Sequence, residues 1–176
     1  MKRRLMLLTC AMCILGLANA QVEIAQVFSK NNSTTGLGLY LHVGFPASKS
    51  TELSGEMGFY YFAPQANHLL MFPLLAGYRY NLNRTRTGFY LEPQAGYTFG
   101  NSDIHKTDAN GNLIYQGDEV ADQKISGLTG AFTAGYLFPK IPLQLGLRYT
   151  HIFVSGDPTQ SILAFRASYV VAYGRR

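Results

Sequence analysis

The stretch GFYLEPQAGYTFG, residues 88–100, alternates apolar with polar or small side chains along its whole length. Successive side chains of a β-strand point to opposite faces of a sheet, so this stretch predicts a strand with one apolar and one polar face. Which of the two faces meets the interior decides the fold class. The apolar parity holds Phe89, Leu91, Pro93, Ala95, Tyr97 and Phe99, and the other parity holds Tyr90, Glu92, Gln94, Gly96, Thr98 and Gly100.

The same alternation recurs along the chain. An eighth, less regular strand is expected at 22–30, where Val22, Ile24 and Phe28 align but Gln26 interrupts the apolar face. No sustained helical period is present, and an even strand number is what a closed barrel requires. We therefore predict eight strands, the seven clear ones at 37–45, 52–62, 68–80, 88–100, 124–138, 141–153 and 161–173.

The strand pattern indicates that the apolar face meets lipid and the polar face lines a lumen. Most of the strands run to ten or more residues, about the length of a tilted bilayer-spanning strand. The polar parity is rich in Gly, Ala, Ser and Thr, which suit the narrow lumen of an eight-stranded barrel. Aromatic residues gather near strand ends as two girdles. One girdle holds Phe45, Tyr78, Tyr80, Phe89, Tyr136, Phe138 and Tyr173, and the other holds Phe59, Tyr61, Tyr97, Phe99 and Phe153.

The connections between strands predict which end is which. Those after the second, fourth and sixth strands are short, whereas residues 101–123 form a long connection between the fifth and sixth. Short turns on one side and longer loops on the other are typical of outer-membrane barrels, with the turns in the periplasm. Asn110-Gly111 favours a tight turn, so the long connection is expected to be a hairpin that extends both strands outside the membrane.

The first twenty residues predict a cleaved secretory signal peptide, which leaves 21–176 as the barrel domain. Lys2, Arg3 and Arg4 precede an apolar stretch and the small-residue site Ala18-Asn19-Ala20. Cleavage removes both cysteines, so the mature chain has no disulfide and no thiolate site. It also removes three of the fifteen Lys and Arg residues, leaving twelve against ten acidic residues. No cationic cluster of the kind that binds nucleic acid remains.

GFYLEPQAGYTFG and PLLAGYRYNL resemble segments of the small outer-membrane β-barrel proteins of Bacteroidetes-type bacteria, the porin family or OmpA-like group. The resemblance covers the mature chain. It implies an eight-stranded antiparallel up-and-down transmembrane barrel in the bacterial outer membrane, folded by the barrel-assembly machinery. Such barrels usually end on an aromatic residue, whereas here Gly174-Arg175-Arg176 follows Tyr173.

The alternation of side chains along the strands predicts that a set of charged residues points into the lumen. Arg79 and Glu92, on strands joined by a hairpin, are expected to be diagonal neighbours. Arg148 is expected near Arg166, with Glu56 and Glu92 as their carboxylate partners, because unpaired buried charge is costly. The cluster is interpreted as a structural salt-bridge plug or, alternatively, as a gate for small ions. The predicted charged set is Glu56, Arg79, Glu92, Lys124, Arg148 and Arg166, and the polar set is Tyr40, His42, Tyr90 and Gln94.

The sequence leaves four functional classes open. The first is a structural or surface-interaction barrel whose partners are outer-membrane lipid, lipopolysaccharide and an extracellular partner of loop 101–123. The second is a small-solute channel. The third is a lipid A-modifying enzyme, suggested by His151 and Ser155 in HIFVS, although Phe153 stands where lipid A deacylases carry their serine. The fourth is a soluble lipocalin-like carrier. The prediction is the first class, with no enzymatic activity, cofactor or metal.

Pro73 and Pro93 lie in the middle of predicted strands, where each removes a ladder hydrogen bond. We expect a bulge or a local kink between the fourth and fifth strands.

Overall fold

The computed structural model describes residues 18–29, 32–63, 69–84, 87–104, 121–154 and 160–170. These residues form β-strands joined by turns, and none of them forms a helix long and apolar enough to cross a membrane. The strands are β1 (Ala18–Ser29), β2 (Asn32–Pro46), β3 (Thr51–Phe62), β4 (Leu69–Asn81), β5 (Gly88–Ile104), β6 (Ala121–Lys124), β7 (Gly127–Leu137), β8 (Leu143–Val154) and β9 (Gln160–Tyr169).

The strands close into an eight-stranded, all-antiparallel barrel, as predicted. The strands β1 to β5 pair in sequence order, β6 and β7 both pair with β5, and the pairings β7–β8, β8–β9 and β9–β1 complete the ring. β6 and β7 together form one barrel strand along β5, interrupted at Ile125 and Ser126. The Ile125 N–H donates to the Gly100 carbonyl at 3.0 Å, so the ladder continues across the interruption in one register.

The register shows how narrow the barrel is. The stagger of the strands can be followed by stepping from each residue to its cross-strand partner once around the barrel. Starting at Ala18, the first step reaches Val43, and later steps reach Gly130 on β7 and Ser161 on β9. The last step returns to β1 at Phe28, ten residues beyond the start. This stagger tilts the strands against the barrel axis. An eight-stranded barrel of this kind has an interior that side chains alone can fill.

Side chains alternate between a buried interior and an exposed outer face along every long strand. The outer face is apolar, and both predicted aromatic girdles lie on it, except that Tyr173 is outside the described residues. Buried charged and polar side chains fill the interior. A lipocalin-like carrier would need the reverse arrangement, with the apolar face lining a cavity, so this alternative does not fit the fold.

The two ends of the barrel differ. The connections β1–β2, β3–β4, β5–β6 and β8–β9 leave one end, here called the loop end, and β2–β3, β4–β5 and β7–β8 leave the other, the turn end. The turn-end connections are short, as predicted. Residues 105–120, including Asn110-Gly111, are outside the described residues, but Asn101–Ile104 pair with Ala121–Lys124 and extend the hairpin towards them.

The start of β1 includes part of the predicted signal peptide. Ala18, Asn19 and Ala20 pair with β2 in this structure of the whole chain. Cleavage after Ala20 stays a prediction, and it would shorten β1 to residues 21–29.

An apolar layer fills the lumen at the loop end, which the sequence analysis did not predict. Its members lie close to the loop-side ends of their strands and form one contiguous buried cluster with Ala25, Tyr40, Tyr60 and Ala164. Inward positions of an outer-membrane barrel are usually polar. We define the apolar layer as Val27, Phe62, Leu69, Met71, Ile125, Ile152 and Ile162.

The two prolines do not produce a bulge. The β3–β4 ladder is interrupted only where Pro73 stands, between the pairs Met57–Leu74 and Tyr60–Met71, and the register is the same on both sides. Pro93 interrupts the β4–β5 ladder in the same way. On its other edge each proline keeps its cross-strand partner, Thr98 for Pro73 and Phe132 for Pro93. Each proline therefore removes hydrogen bonds from one ladder, but it adds no bulge residue and leaves the register unchanged.

A charge placed on the outer face tests whether that face meets lipid. Leu74 is 57% exposed on β4, and its neighbour Leu75 is buried in the lumen. In a bilayer, Leu74→Arg should lower the free energy of unfolding by about 2–4 kcal/mol, because an arginine would enter the hydrocarbon region. Urea unfolding in phospholipid vesicles measures this. The matched control Thr51→Arg, at the turn-side end of β3, should change little. A near-neutral Leu74→Arg would contradict a lipid-facing surface.

Candidate functional site

Eight ionisable side chains meet inside the barrel, between the apolar layer and the turn end. All are buried, and His42, Arg148 and Arg166 are 0% exposed. They come from seven strands, because strand alternation turns one residue in two towards the narrow lumen. We call them the buried charge cluster: Glu23, His42, Glu52, Glu56, Arg79, Glu92, Arg148 and Arg166.

The centre of the cluster is a closed arrangement of two carboxylates and two guanidinium groups. Arg166 donates from Nε to Glu23 Oε1 at 2.6 Å and from both terminal nitrogens to Glu56 at 2.6 and 3.0 Å. Arg148 donates to Glu23 Oε1 at 3.2 Å and also to Glu56 Oε2. Each arginine thus bridges both carboxylates. The four residues lie on β1, β3, β8 and β9, so the contacts tie opposite walls together.

A second ion pair lies nearer the turn end. Arg79 on β4 donates from Nε and from a terminal nitrogen to Glu92 Oε2, at 3.1 and 2.8 Å. Its other terminal nitrogen donates to Gln144 at 3.1 Å, and its guanidinium lies over the Tyr90 ring at 4.4 Å. Arg79 and Glu92 face each other directly between the pairs Gly77–Gln94 and Tyr80–Leu91, rather than diagonally as predicted.

His42 connects the two parts of the cluster. Its Nδ1 lies 2.9 Å from Glu56 Oε1 and 3.8 Å from Glu92 Oε1, and its Nε2 lies 3.3 Å from Glu52 Oε1. An ionised carboxylate only accepts hydrogen bonds, so with Glu52 and Glu56 both ionised each ring nitrogen donates. This geometry is the one that an imidazolium ion would adopt.

With His42 protonated, the charges of the cluster balance. Glu23, Glu52, Glu56 and Glu92 supply four negative charges, and three arginines with His42 supply four positive charges. An unpaired charge in a lumen this narrow is strongly destabilising. The histidine proton therefore completes the neutralisation that three arginines leave unfinished.

Polar and aromatic side chains enclose the charges. Tyr60 donates its hydroxyl to Glu23 Oε2, and Gln94 accepts from Arg148. The Tyr40 ring lies beside both central arginines, 5.0 Å from the Arg148 guanidinium and 5.6 Å from that of Arg166. These contacts hold each long side chain in one position.

A metal ion could be held only at a cost to this network. His42, Glu56 and Glu92 each offer a ligand atom, all within 4.8 Å of one another. Nitrogen and carboxylate oxygen ligands suit several divalent metals. However, a metal would have to displace the His42 proton and compete with arginines for the Glu56 and Glu92 oxygens. The donor set as arranged fits guanidinium and imidazolium cations better than a metal.

The structure brings most of the predicted interior residues together. Glu56, Arg79, Glu92, Arg148 and Arg166 all belong to the cluster. Tyr40, His42, Tyr90 and Gln94 are buried beside them. Lys124 is the cross-strand partner of Asn101. Its side chain lies outside the described residues, so its inward position stays a prediction.

Glu23 and Glu52 belong to the cluster although the predicted charged set did not include them. Glu23 lies between the exposed residues Val22 and Ile24, so the alternation of β1 was sufficient to place it inside. The exposed Gln26 obscured that pattern. Glu52 has inward parity, but only the register shows that it lies across from Arg79.

The lipid A-modifying alternative rests on His151 and Ser155, of which only His151 is among the described residues. His151 Nδ1 instead lies 3.0 Å from the Ser161 hydroxyl, which is also 3.0 Å from the Tyr149 hydroxyl. Phe153 packs edge-on against the His151 ring. These side chains use their polar groups to hydrogen-bond with one another at the loop end. Among the described residues, none places a carboxylate where it would orient the imidazole ring.

Solved structures of bacterial barrels share this fold. Neisserial surface protein A matches with a TM-score of 0.59 and 14% identity, over 87% of this chain and 95% of that one. Ail, the attachment invasion locus protein of Yersinia pestis, matches with a TM-score of 0.59 and 12% identity, over 86% and 96%. The N-terminal β-barrel domain of Pseudomonas aeruginosa OprF matches with a TM-score of 0.54 and 13% identity, over 86% and 97%.

At these identities the likeness concerns the fold alone. A comparison with models of known protein families finds no match, and neither does a sequence comparison with curated proteins.

The charge balance predicts that His42 is protonated on both ring nitrogens at neutral pH. Two-bond 1H–15N correlation spectra of labelled protein report this state directly. In the matched variant Glu52→Gln, three carboxylates face three arginines, so the His42 ring should become neutral and lose one of its protons. A wild-type ring with one unprotonated nitrogen at pH 7 would contradict the four-to-four balance.

Proposed function

We propose that this chain is an integral barrel of the bacterial outer membrane whose lumen is closed and whose role is structural or surface-interacting. The observation that carries the proposal is the succession of two layers of buried side chains along the lumen. The apolar layer fills the loop end, and the buried charge cluster fills the section below it. A protein built to pass solutes through its barrel would leave one continuous polar path.

The membrane location is supported by the outer surface. Its exposed large side chains are apolar over the length of the strands, with aromatic side chains towards both ends. Such a surface would be insoluble in water and matches the apolar band and aromatic girdles of outer-membrane barrels. The fold shared with Neisserial surface protein A, Ail and the OprF domain supports the same location.

The remaining assignments follow from this location. Export would be directed by the signal peptide, and folding would be assisted by the barrel-assembly machinery. The turn end would lie in the periplasm and the loop end outside, in contact with lipopolysaccharide. Loop 101–123, the longest connection, is our candidate for contact with an extracellular partner. The closer relationship to the Bacteroidetes-type porin family is proposed on the segments GFYLEPQAGYTFG and PLLAGYRYNL.

The channel alternative meets two obstacles. Arg166 directs three hydrogen bonds, and Arg148 two, to the carboxylates of Glu23 and Glu56, so a passing ion would have to compete with these contacts. Phe62, Met71 and Ile152 of the apolar layer would exclude water even if the arginines moved. Opening the pore would require both layers to rearrange.

Single-channel recording in a planar bilayer tests the closed lumen. The refolded wild-type barrel should be silent, and Arg148→Ala should also be silent because the apolar layer is unchanged. Only Arg148→Ala combined with Phe62→Ser and Ile152→Ser should raise ion permeability. The heat-dependent band shift of folded barrels on gels serves as the folding control for each variant.

Wild-type conductance steps that change in size or ion selectivity in Arg148→Ala would contradict the proposal. They would show that the lumen is open and that the arginines filter ions.

A further inference from the structure

The charges of the chain are sorted by position along the barrel axis. The segments that leave the turn end are 47–50, 82–87, 138–142 and the C-terminal 171–176, and they contain no acidic residue. Together they hold six of the twelve cations that remain after removal of the signal peptide. These are Lys49, Arg84, Arg86, Lys140, Arg175 and Arg176.

The loop end has the opposite balance. Residues 29–32, 63–68, 101–124 and 155–159 contain six acidic residues and three lysines. The lumen holds the other four carboxylates and three arginines. The excess positive charge of the mature chain is therefore concentrated at one end, where no acidic side chain of the same segments can neutralise it.

The structure distributes the described turn-end cations around the barrel. Lys49, Arg84 and Lys140 are exposed on three different turns, those of β2–β3, β4–β5 and β7–β8. In the strand order these three turns follow one another along about half of the barrel's circumference. The described cations thus lie on separate turns and do not form a cluster on one of them.

The described turn-end cations lie next to the turn-end aromatic girdle. Phe45 and Phe89 are exposed just inside the turns that carry Lys49 and Arg84. Aromatic side chains settle at the level where hydrocarbon meets lipid headgroups. The neighbouring cations would then lie at the height of the headgroup phosphates.

We infer that the turn-end cations bind the headgroups of anionic phospholipids in the leaflet that contacts the turns. Lysine and arginine near a membrane surface attract anionic lipid, and this attraction weakens as salt screens it. Free acidic residues would cancel the effect, and the turn-end segments have none. The inference rests on the proposed function, because it requires the barrel to span a bilayer.

Spin-labelled lipids measure the preference. The barrel is reconstituted in nanodiscs of phosphatidylcholine with a small fraction of spin-labelled phosphatidylglycerol or phosphatidylcholine, and the immobilised fraction of each label is compared. The wild-type barrel should favour phosphatidylglycerol several-fold at low salt and lose most of this preference at high salt. The triple variant Lys49→Gln/Arg84→Gln/Lys140→Gln should lose most of this preference, so that the two labels are immobilised to nearly the same extent.

The matched control removes three cations from the other end, in Lys30→Gln/Lys106→Gln/Lys124→Gln. It changes the net charge equally, so a preference that depends on the turn end should survive in it. Equal loss in both triple variants would overturn the inference, because overall charge would then explain the preference. A folded wild-type barrel without preference for phosphatidylglycerol would overturn it as well.

The same nanodiscs separate this inference from the proposed function. A heat-dependent band shift and protection of the strands from protease report whether a membrane barrel has formed. Their absence would contradict the membrane barrel itself. Their presence together with equal binding of both lipids would contradict only the role of the turn-end cations.

Discussion

Charge neutrality inside a narrow barrel is the constraint on which the rest of this structure depends. Eight strands enclose a lumen that side chains fill, so bulk water cannot solvate the charges within it. Four carboxylates therefore require four cations in direct contact. Three arginines provide three of them, and a protonated His42 would provide the fourth. The single carboxylate of Glu56 contacts Arg148, Arg166 and His42.

The barrel register and the cluster depend on each other. A slip of one residue between two strands would turn the inward set outward, placing charges in lipid and apolar side chains against the arginines. Glu23 and Arg166 are cross-strand partners on β1 and β9, so their ion pair spans the seam where the barrel closes. We infer that the cluster specifies closure as well as filling the lumen. The prolines are tolerated because they interrupt single ladders without changing the register.

Much of this architecture could be predicted from the sequence, because alternation reports directly on strand faces. The strand number, the apolar outer face and the Arg79–Glu92 contact followed from parity and hairpin geometry. Contacts across the barrel did not, since they depend on the stagger of all eight strands: nothing local indicates that Arg148 meets Glu23. The apolar layer was missed for another reason. Phe62, Ile152 and Ile162 have inward parity, but each lies beside a strand end, where alternation is hard to separate from loop sequence.

The central claim is that the buried charges act as one interacting network that stabilises the closed barrel. A double-mutant cycle between Glu56 and Arg166, measured by reversible urea unfolding in vesicles, tests it most directly. Removing either partner alone should cost about 3–5 kcal/mol, because it leaves an uncompensated buried charge. The double variant Glu56→Gln/Arg166→Gln should lose at least about 1 kcal/mol less than the sum of the single losses. Losses that add to within about 0.5 kcal/mol would contradict the account, because additive effects are expected of residues that do not interact.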